Sequence, residues 1–456
     1  MPSEENKDMA DGQINVGGEP VFKGIDPIKF EGPDSDNPLA YRYYNKDQMV
    51  MGKRMEDHLR MAVCYWHTFC WDGFDVFGGG TFNRPWHGAA NDRAAADAKM
   101  AAAFEFFSKL GLPYYCFHDV DVTEDSPTPD DLSNNLKRQA DRLAAYQEAT
   151  GIKLLWGTAN LFSNPRFGAG GLTNPNPEVA AVAVRQIRDC MEVTQALGGE
   201  NYVLWGGREG YDTLLNTDLD RELGNFGRFL AMVVDHKHKI GFEGKILIEP
   251  KPHEPMYHQY DFDSATVYGF LKRFGLEDEV QVNIEPNHAT LAGHSFAHEI
   301  ATAVSLGIMG SIDINCGNYQ NGWDTDQFNL DIRDITLALI ELLPSGGLDT
   351  GGFNFDAKVR RQSSTVDDLF HAHVGGVDAL ARALLSAADI LEKGEIAKLK
   401  TERYAGWENS DLGKMMLSEG ASLESIANKA VESGVNPSHT SGRQEMLENL
   451  VNRSLK

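Results

Sequence analysis

KILIEPKP (residues 245–252), VQVNIEPNH (280–288), GSIDINCG (310–317) and GGFNFDAK (351–358) share one plan. Each opens on a short, largely apolar run and sets a carboxylate near its end, at Glu249, Glu285, Asp313 and Asp356. A charge placed after residues that should be buried is costly to desolvate unless it is paired or holds a cation. Four acids at equivalent strand ends therefore describe a fold in which those ends converge.

Working outward, eight such runs can be traced: Met61–Trp66, Tyr114–Asp121, Ile152–Asn160, Asn201–Gly206, Lys245–Pro250, Val280–Pro286, Gly310–Asn315 and Gly352–Asp356. Amphipathic stretches separate them, the pattern of a parallel sheet with crossover helices. Asp218–Ile240 carries Leu219, Leu223, Phe226, Leu230 and Val233 at three- and four-residue steps, one face of a helix. Pro177–Leu197 and Asp263–Phe274 read similarly, the latter with Asp263 or Ser264 as N-cap. Eight β-α units suit an α/β fold of the (β/α)8 TIM-barrel type; a doubly wound open sheet is the alternative the pattern leaves open. The expected organisation is an irregular, Gly- and Pro-rich extension over residues 1–50, a barrel over 51–387, and a polar helical arm over 388–456 that packs on a neighbouring subunit.

The chain has 456 residues, 42 basic against 67 acidic, for a formal net charge of −25. Such acidity argues against a nucleic-acid or anionic-membrane binder and suits neutral molecules or metal cations. No apolar run approaches the ~18–20 residues of a membrane span. Five scattered cysteines without a CxxC, and a polar Met1–Asp11 start unlike a signal peptide, predict a soluble, cytoplasmic protein with reduced thiols.

In a barrel the C-terminal strand ends carry the chemistry. Here they present Trp66; His118 and Asp121; Thr158; Trp205; Glu249 and Lys251; Glu285 and His288; Asp313; and Asp356, with Asp324 and Asp326 in the loop after the seventh run. Each acid alone could cap a helix or meet a loop arginine, but together they would repel without a countercharge. Convergent carboxylates with one imidazole suit Mg²⁺ or Mn²⁺, and six acids are better neutralised by two divalent ions than by one. His118, with Asp121 to fix its tautomer, is a candidate general acid/base, and Lys251 faces the same way as Glu249. Trp66 and Trp205 could wall a sugar site or simply fill a core. His294/His298, His236/His238 and His371/His373 read as ordinary histidines on polar helical stretches, and Gly78–Gly80 as turn geometry.

These residues resemble the D-xylose isomerase family, in its longer-chain class with an N-terminal extension. The resemblance is carried by CYWHTFCWDG (64–73), YCFHDVD (115–121), ANLFSNPRF (159–167), WGGREG (205–210), IEPKPHEP (248–255), NIEPNHATLAGH (283–294), SIDINCG (311–317), WDTDQF (323–328) and GGFNFDAKVRR (351–361). It implies a (β/α)8 barrel whose C-terminal arm embraces a neighbour, usually in a homotetramer. It implies two divalent metal ions per subunit, Mg²⁺ with Mn²⁺ or Co²⁺ as substitutes. One would be held by Glu249, Glu285, Asp313 and Asp356, the second by Glu285, His288, Asp324 and Asp326, with Glu285 bridging. By the same resemblance Trp66, Thr158 and Trp205 would bind substrate, and Phe77 would contribute to a neighbouring subunit's site. The activity implied is interconversion of D-xylose and D-xylulose, and of D-glucose and D-fructose. His118 and Asp121 would open the sugar ring, Lys251 would stabilise charge on O1, and hydride would pass from C2 to C1. Pockets separate sugars that differ by one hydroxymethyl by only ~1–3 kcal/mol. The rival readings are another isomerase or epimerase on the same barrel, a DNA-repair nuclease, which should show more histidine ligands and a basic face, and a non-catalytic sugar-binding barrel, which needs no acid/base set.

Overall fold

The computed structural model describes residues 19–88 and 92–456. Eight parallel strands close into a barrel in sequential order: β1 (Met61–Cys64), β2 (Tyr114–His118), β3 (Lys153–Thr158), β4 (Asn201–Trp205), β5 (Lys245–Glu249), β6 (Val280–Ile284), β7 (Met309–Asp313) and β8 (Phe353–Phe355). β8 pairs with β1 through Phe353–Met61, Asn354–Ala62 and Phe355–Val63, so no edge remains. All eight runs expected from the sequence are strands, which excludes the open sheet.

Helices α1 (Arg93–Leu110), α2 (Pro129–Thr150), α3 (Pro177–Ala196), α4 (Leu219–Ile240), α5 (Ser264–Phe274), α6 (Phe296–Leu306), α7 (Ile332–Leu342) and α8 (Asp367–Lys393) ring the barrel. Their boundaries follow local chemistry. Asp218 accepts from the Arg221 N–H to cap α4, and Gly241 ends that helix in the left-handed conformation. Between the two N-cap candidates for α5, Asp263 does the capping and accepts from the Thr266 N–H.

The barrel interior holds Ala62, Tyr114, Cys116, Leu155, Trp156, Val203 and Leu247, while a larger apolar layer lies between strands and helices. The Trp156 side chain plugs the interior below the site, so the barrel is a packed core with a floor rather than a pore. Gly351 and Gly352 leave room for close passage of β8, because a Cβ there would run into the Gly310 and Arg60 carbonyls.

Residues 1–18 of the expected extension lie outside the described residues; 19–50 are largely irregular yet firmly docked. The Asp378 carboxylate on α8 accepts from the Arg42, Tyr43 and Tyr44 N–H groups at 2.7–3.0 Å, and Phe22 is buried against Trp86, Phe106 and Phe370. The break expected at 387/388 falls inside α8, which runs on until Gly394 turns left-handed. Beyond it come α9 (Glu395–Asn409), α10 (Asp411–Met416), α11 (Leu423–Glu432) and α12 (Gln444–Ser454). Of these, α9 and α11 bury no residue, while α12 returns Leu450 and Val451 to the body. No helix among the described residues is long and apolar enough to cross a membrane.

His373 also departs from its expected place on a polar helical stretch. The stretch around it looks polar, but His373 follows Phe370 and precedes Val377 on the inward face of α8 and is 1% exposed. Phe106, Phe328 and Phe355 surround its ring.

Candidate active site

At the C-terminal end of the barrel a cavity of about 170 Å³ is lined by Trp66, His118, Thr158, Trp205, Glu249, Lys251, Glu285, His288, Asp324, Asp326 and Asp356, with His67 and Phe162. The parallel register explains the gathering: side chains at matching strand ends project to one axis. Asp313 is fully buried at the cavity floor, where its ligand-capable oxygen lies within 4.8 Å of those of Glu249 and Asp356. Glu285, Asp324 and Asp326 bring ligand atoms equally close together, as do Glu249, Glu285 and His288.

Crowding shows in the acids' affinities for protons. Burial, then Asp313 and Asp356, push the Glu249 carboxyl well above the ordinary range. Burial and Asp356 do the same to Asp313; burial, Asp324 and Asp356 to Glu285. Asp324 goes the other way: burial works to raise it, but Lys251, whose Nζ is 2.6 Å from Oδ2, and His288 hold it well below. Asp313 Oδ2 and His288 Nδ1 are buried without a hydrogen-bond partner among the described residues. Repelled carboxylates, an orphaned acceptor and an orphaned imidazole nitrogen form a donor set that a divalent cation fits.

Buried asparagines orient the acids. Asn283 donates to Glu249 at 3.2 Å, Asn315 to Glu285 at 2.8 Å, and Asn354 to Asp313 at 2.9 Å. None of the three was among the candidates drawn from the sequence, although each stands two residues from an acid in a strand run and therefore shares its face.

On the opposite wall His118 Nδ1 lies 3.1 Å from Asp121 Oδ2, which also accepts from the His118 N–H at 2.7 Å. The carboxylate holds the Nδ1–H tautomer and leaves Nε2 bare. Trp66 meets the His118 ring edge-on at 4.5 Å, and Phe162 meets both His118 and Trp205 edge-on. Lys251 Nζ sits 5.4 Å from the Trp205 ring centre. The Thr158 hydroxyl donates to the Val203 carbonyl, so it lines the cavity with its hydrogen already engaged.

Phe77 is not among the residues lining this cavity. It is 78% exposed on the rim of a wider bowl of about 640 Å³, its ring 5.8 Å from Trp323. Phe74 and Val76 are exposed beside it.

His67 is the main residue that the sequence analysis left unassigned. β1 runs into a π-helical turn, Trp66–Cys70, closed by the Trp71 N–H on the Trp66 carbonyl at 3.0 Å. That wider turn sends Trp66 and His67, adjacent in sequence, into one cavity. His67 Nε2 lies 3.1 Å from Asp326 Oδ2 and 3.0 Å from Asp356 Oδ1. Burial disfavours the imidazolium, but the two acids outweigh it and lift His67 to about 9.

A family profile described as "Xylose isomerase-like TIM barrel" matches residues 104–315, and one described as "XylA2 C-terminal domain" matches 400–455. The chain is 61% identical to a protein named xylose isomerase from Solibacter usitatus, over 96% of this chain and 100% of that one. It is 59% identical to the xylose isomerase of Paraburkholderia phymatum, over 95% of this chain and 98% of the relative. The corresponding figures for that of Escherichia coli O139:H28 are 58%, 95% and 98%. Identity at this level over the full barrel and the arm leaves one assignment: the chain belongs to the xylose isomerase family.

Proposed function

We propose that the protein is a metal-dependent aldose–ketose isomerase that interconverts D-xylose and D-xylulose, and D-glucose and D-fructose. The observation that carries this is the set of buried, mutually repelling carboxylates facing a His118–Asp121 pair across one aromatic-walled cavity. Glu249, Glu285, Asp313 and Asp356 would hold one divalent cation, and Glu285, His288, Asp324 and Asp326 the other. Mg²⁺, with Mn²⁺ or Co²⁺ in its place, supplies Lewis acidity toward the sugar hydroxyls.

The chain's own groups perform the rest. His118, fixed by Asp121, moves the proton that ring opening transfers between the anomeric hydroxyl and the ring oxygen. Lys251 has three N–H donors. Asp324 at 2.6 Å engages one, and Glu254 lies at ion-pair distance, 3.5 Å, which leaves donor capacity for charge that develops on O1. Trp66, Trp205 and Phe162 keep water away while hydride passes from C2 to C1. Thr158 shapes the wall beside them. Phe77, on the rim, would complete the site of a neighbouring copy.

The assembly we favour is a homotetramer in which the arm beyond Gly394 lies on a neighbour. Tyr404, Trp407, Leu417, Leu423 and Val431 stand exposed along it and support that placement. Five free cysteines are consistent with a cytoplasmic home. Nucleic acid and membrane have no place in this reading.

The test is ketose formation from D-xylose by metal-stripped protein, before and after Mg²⁺, Mn²⁺ or Co²⁺ is added. Turnover should appear only with metal. Two bound metals without turnover would keep the metal site and sink the isomerase.

A further inference from the structure

Resting on the two-cation reading above, we propose that His67 is a positioning residue that sets the carboxylates of both cation sites at once. Its Nε2 is nearly equidistant from Asp356, in one set, and Asp326, in the other, at 3.0 and 3.1 Å. These contacts fall on oxygens already claimed by a second donor. Trp66 Nε1 donates to the same Asp356 Oδ1 at 2.7 Å, and Lys358 Nζ to the same Asp326 Oδ2 at 2.8 Å.

Each carboxylate is thus fastened by one oxygen and presents the other. Among the described residues, Asp356 Oδ2 receives no hydrogen bond, and Asp326 Oδ1 receives only a long one, 3.3 Å, from Asn315. Donors that occupy one carboxylate oxygen fix the plane of the group and so decide which oxygen meets a cation. Trp66 serves only Asp356 in this way and Lys358 only Asp326; His67 Nε2 lies at ion-pair distance from both. Its backbone lies in the π-helical turn after β1, the strand that pairs with β8 just ahead of Asp356, whereas Asp326 comes from the loop after β7. The ring therefore fixes the spacing between the two acids as well as the orientation of each.

The experiment is Mn²⁺ binding to the full chain by equilibrium dialysis, with free ion read by electron paramagnetic resonance, for wild type, His67→Phe and His67→Gln. Phe keeps a ring but has no N–H; the Gln amide nitrogen can reach the place of Nε2. Outer-sphere partners of this kind are worth about 10–100-fold in metal affinity. The expected result is two Mn²⁺ per wild-type chain, both dissociation constants raised about tenfold or more in His67→Phe, and most of that loss recovered in His67→Gln. The apo proteins should keep the same near-ultraviolet circular dichroism, which a packing defect would change. Should His67→Phe not fold, His67→Gln against His67→Leu makes the same comparison. A loss confined to one site, no loss at either, or no recovery by Gln overturns the role of His67 and leaves the two-cation reading standing. Wild-type protein that binds fewer than two Mn²⁺ overturns that reading and the role of His67 with it.

Discussion

Glu285 stands where the two acid groups meet: Asn315 and His288 touch its two oxygens, at 2.8 and 3.1 Å, and Asp324, Asp326, Asp356 and Glu249 all repel it. Glu285→Gln keeps the shape and deletes the charge. Elemental analysis should then find both metals lost or greatly depleted; two ions still bound would refute the bridging role. The same substitution should raise the melting temperature of the metal-free protein at neutral pH. The sign follows from the shift: an acid whose folded pKa lies above its unfolded value destabilises the fold when ionised. That penalty fades as pH falls through the raised value, so the advantage of Gln should shrink in acid. The convergence of the acids was legible in the sequence because four of them stand at equivalent strand ends, although any one alone could cap a helix or meet an arginine. His67 was not, because the register of a π-helical turn cannot be read from CYWHTFCWDG.

Among the elements, α8 gives the sharpest test. His373 donates Nδ1–H to the Leu369 carbonyl at 2.7 Å, its Nε2 has no partner, and burial pulls it down to about 4. A histidine with a folded value near 4 and an ordinary unfolded value near 6.5 leaves stability intact above pH 6.5 and erodes it between 6.5 and 4. At ~1.4 kcal/mol per unit, the erosion is of order 3 kcal/mol. Denaturant titrations of wild type and His373→Leu across that window should show wild type losing more stability, by about this amount; parallel curves would refute it. The burial could have been anticipated, since His373 keeps helical step with Phe370 and Val377 whereas His371 does not. Counting polar neighbours along DDLFHAHVGG concealed a face that counting by threes and fours reveals. Strands and long helices came through because their periodicities are strong, although every expected strand run overshoots the C-terminal end of its strand by one to three residues. The end of α8 did not come through: composition changes near residue 388, whereas the helix ends only where Gly394 supplies a left-handed turn.

For the molecule as a whole, the arm is the part that a single chain leaves unexplained. Leu423 is 88% exposed, and α11 hides nothing against its own barrel. If a neighbouring copy covers these helices, Trp407→Asp with Leu423→Asp should lower the mass found by sedimentation equilibrium. Far-ultraviolet circular dichroism should stay unchanged, because neither side chain is buried within its own chain. A mass unaltered by both charges would argue that the arm faces solvent. The sequence revealed that such an arm exists, since its composition departs from the alternating pattern before it. Whether it rests on a second chain is something one chain's periodicity does not encode.

The seam between β8 and β1 also bears on time. Phe353–Phe355 are the last barrel residues to leave a ribosome, and their partners Met61–Val63 are among the first. Until then a nascent chain carries two open sheet edges and must bridge nearly the whole barrel sequence to join them, a contact of long range and slow formation. The Trp66–Asp356 hydrogen bond and the His67–Asp356 contact cross this same seam. The catalytic chamber is thus finished by the step that shuts the cylinder, and a half-made chain has acids in place but no completed cage to concentrate them around a cation.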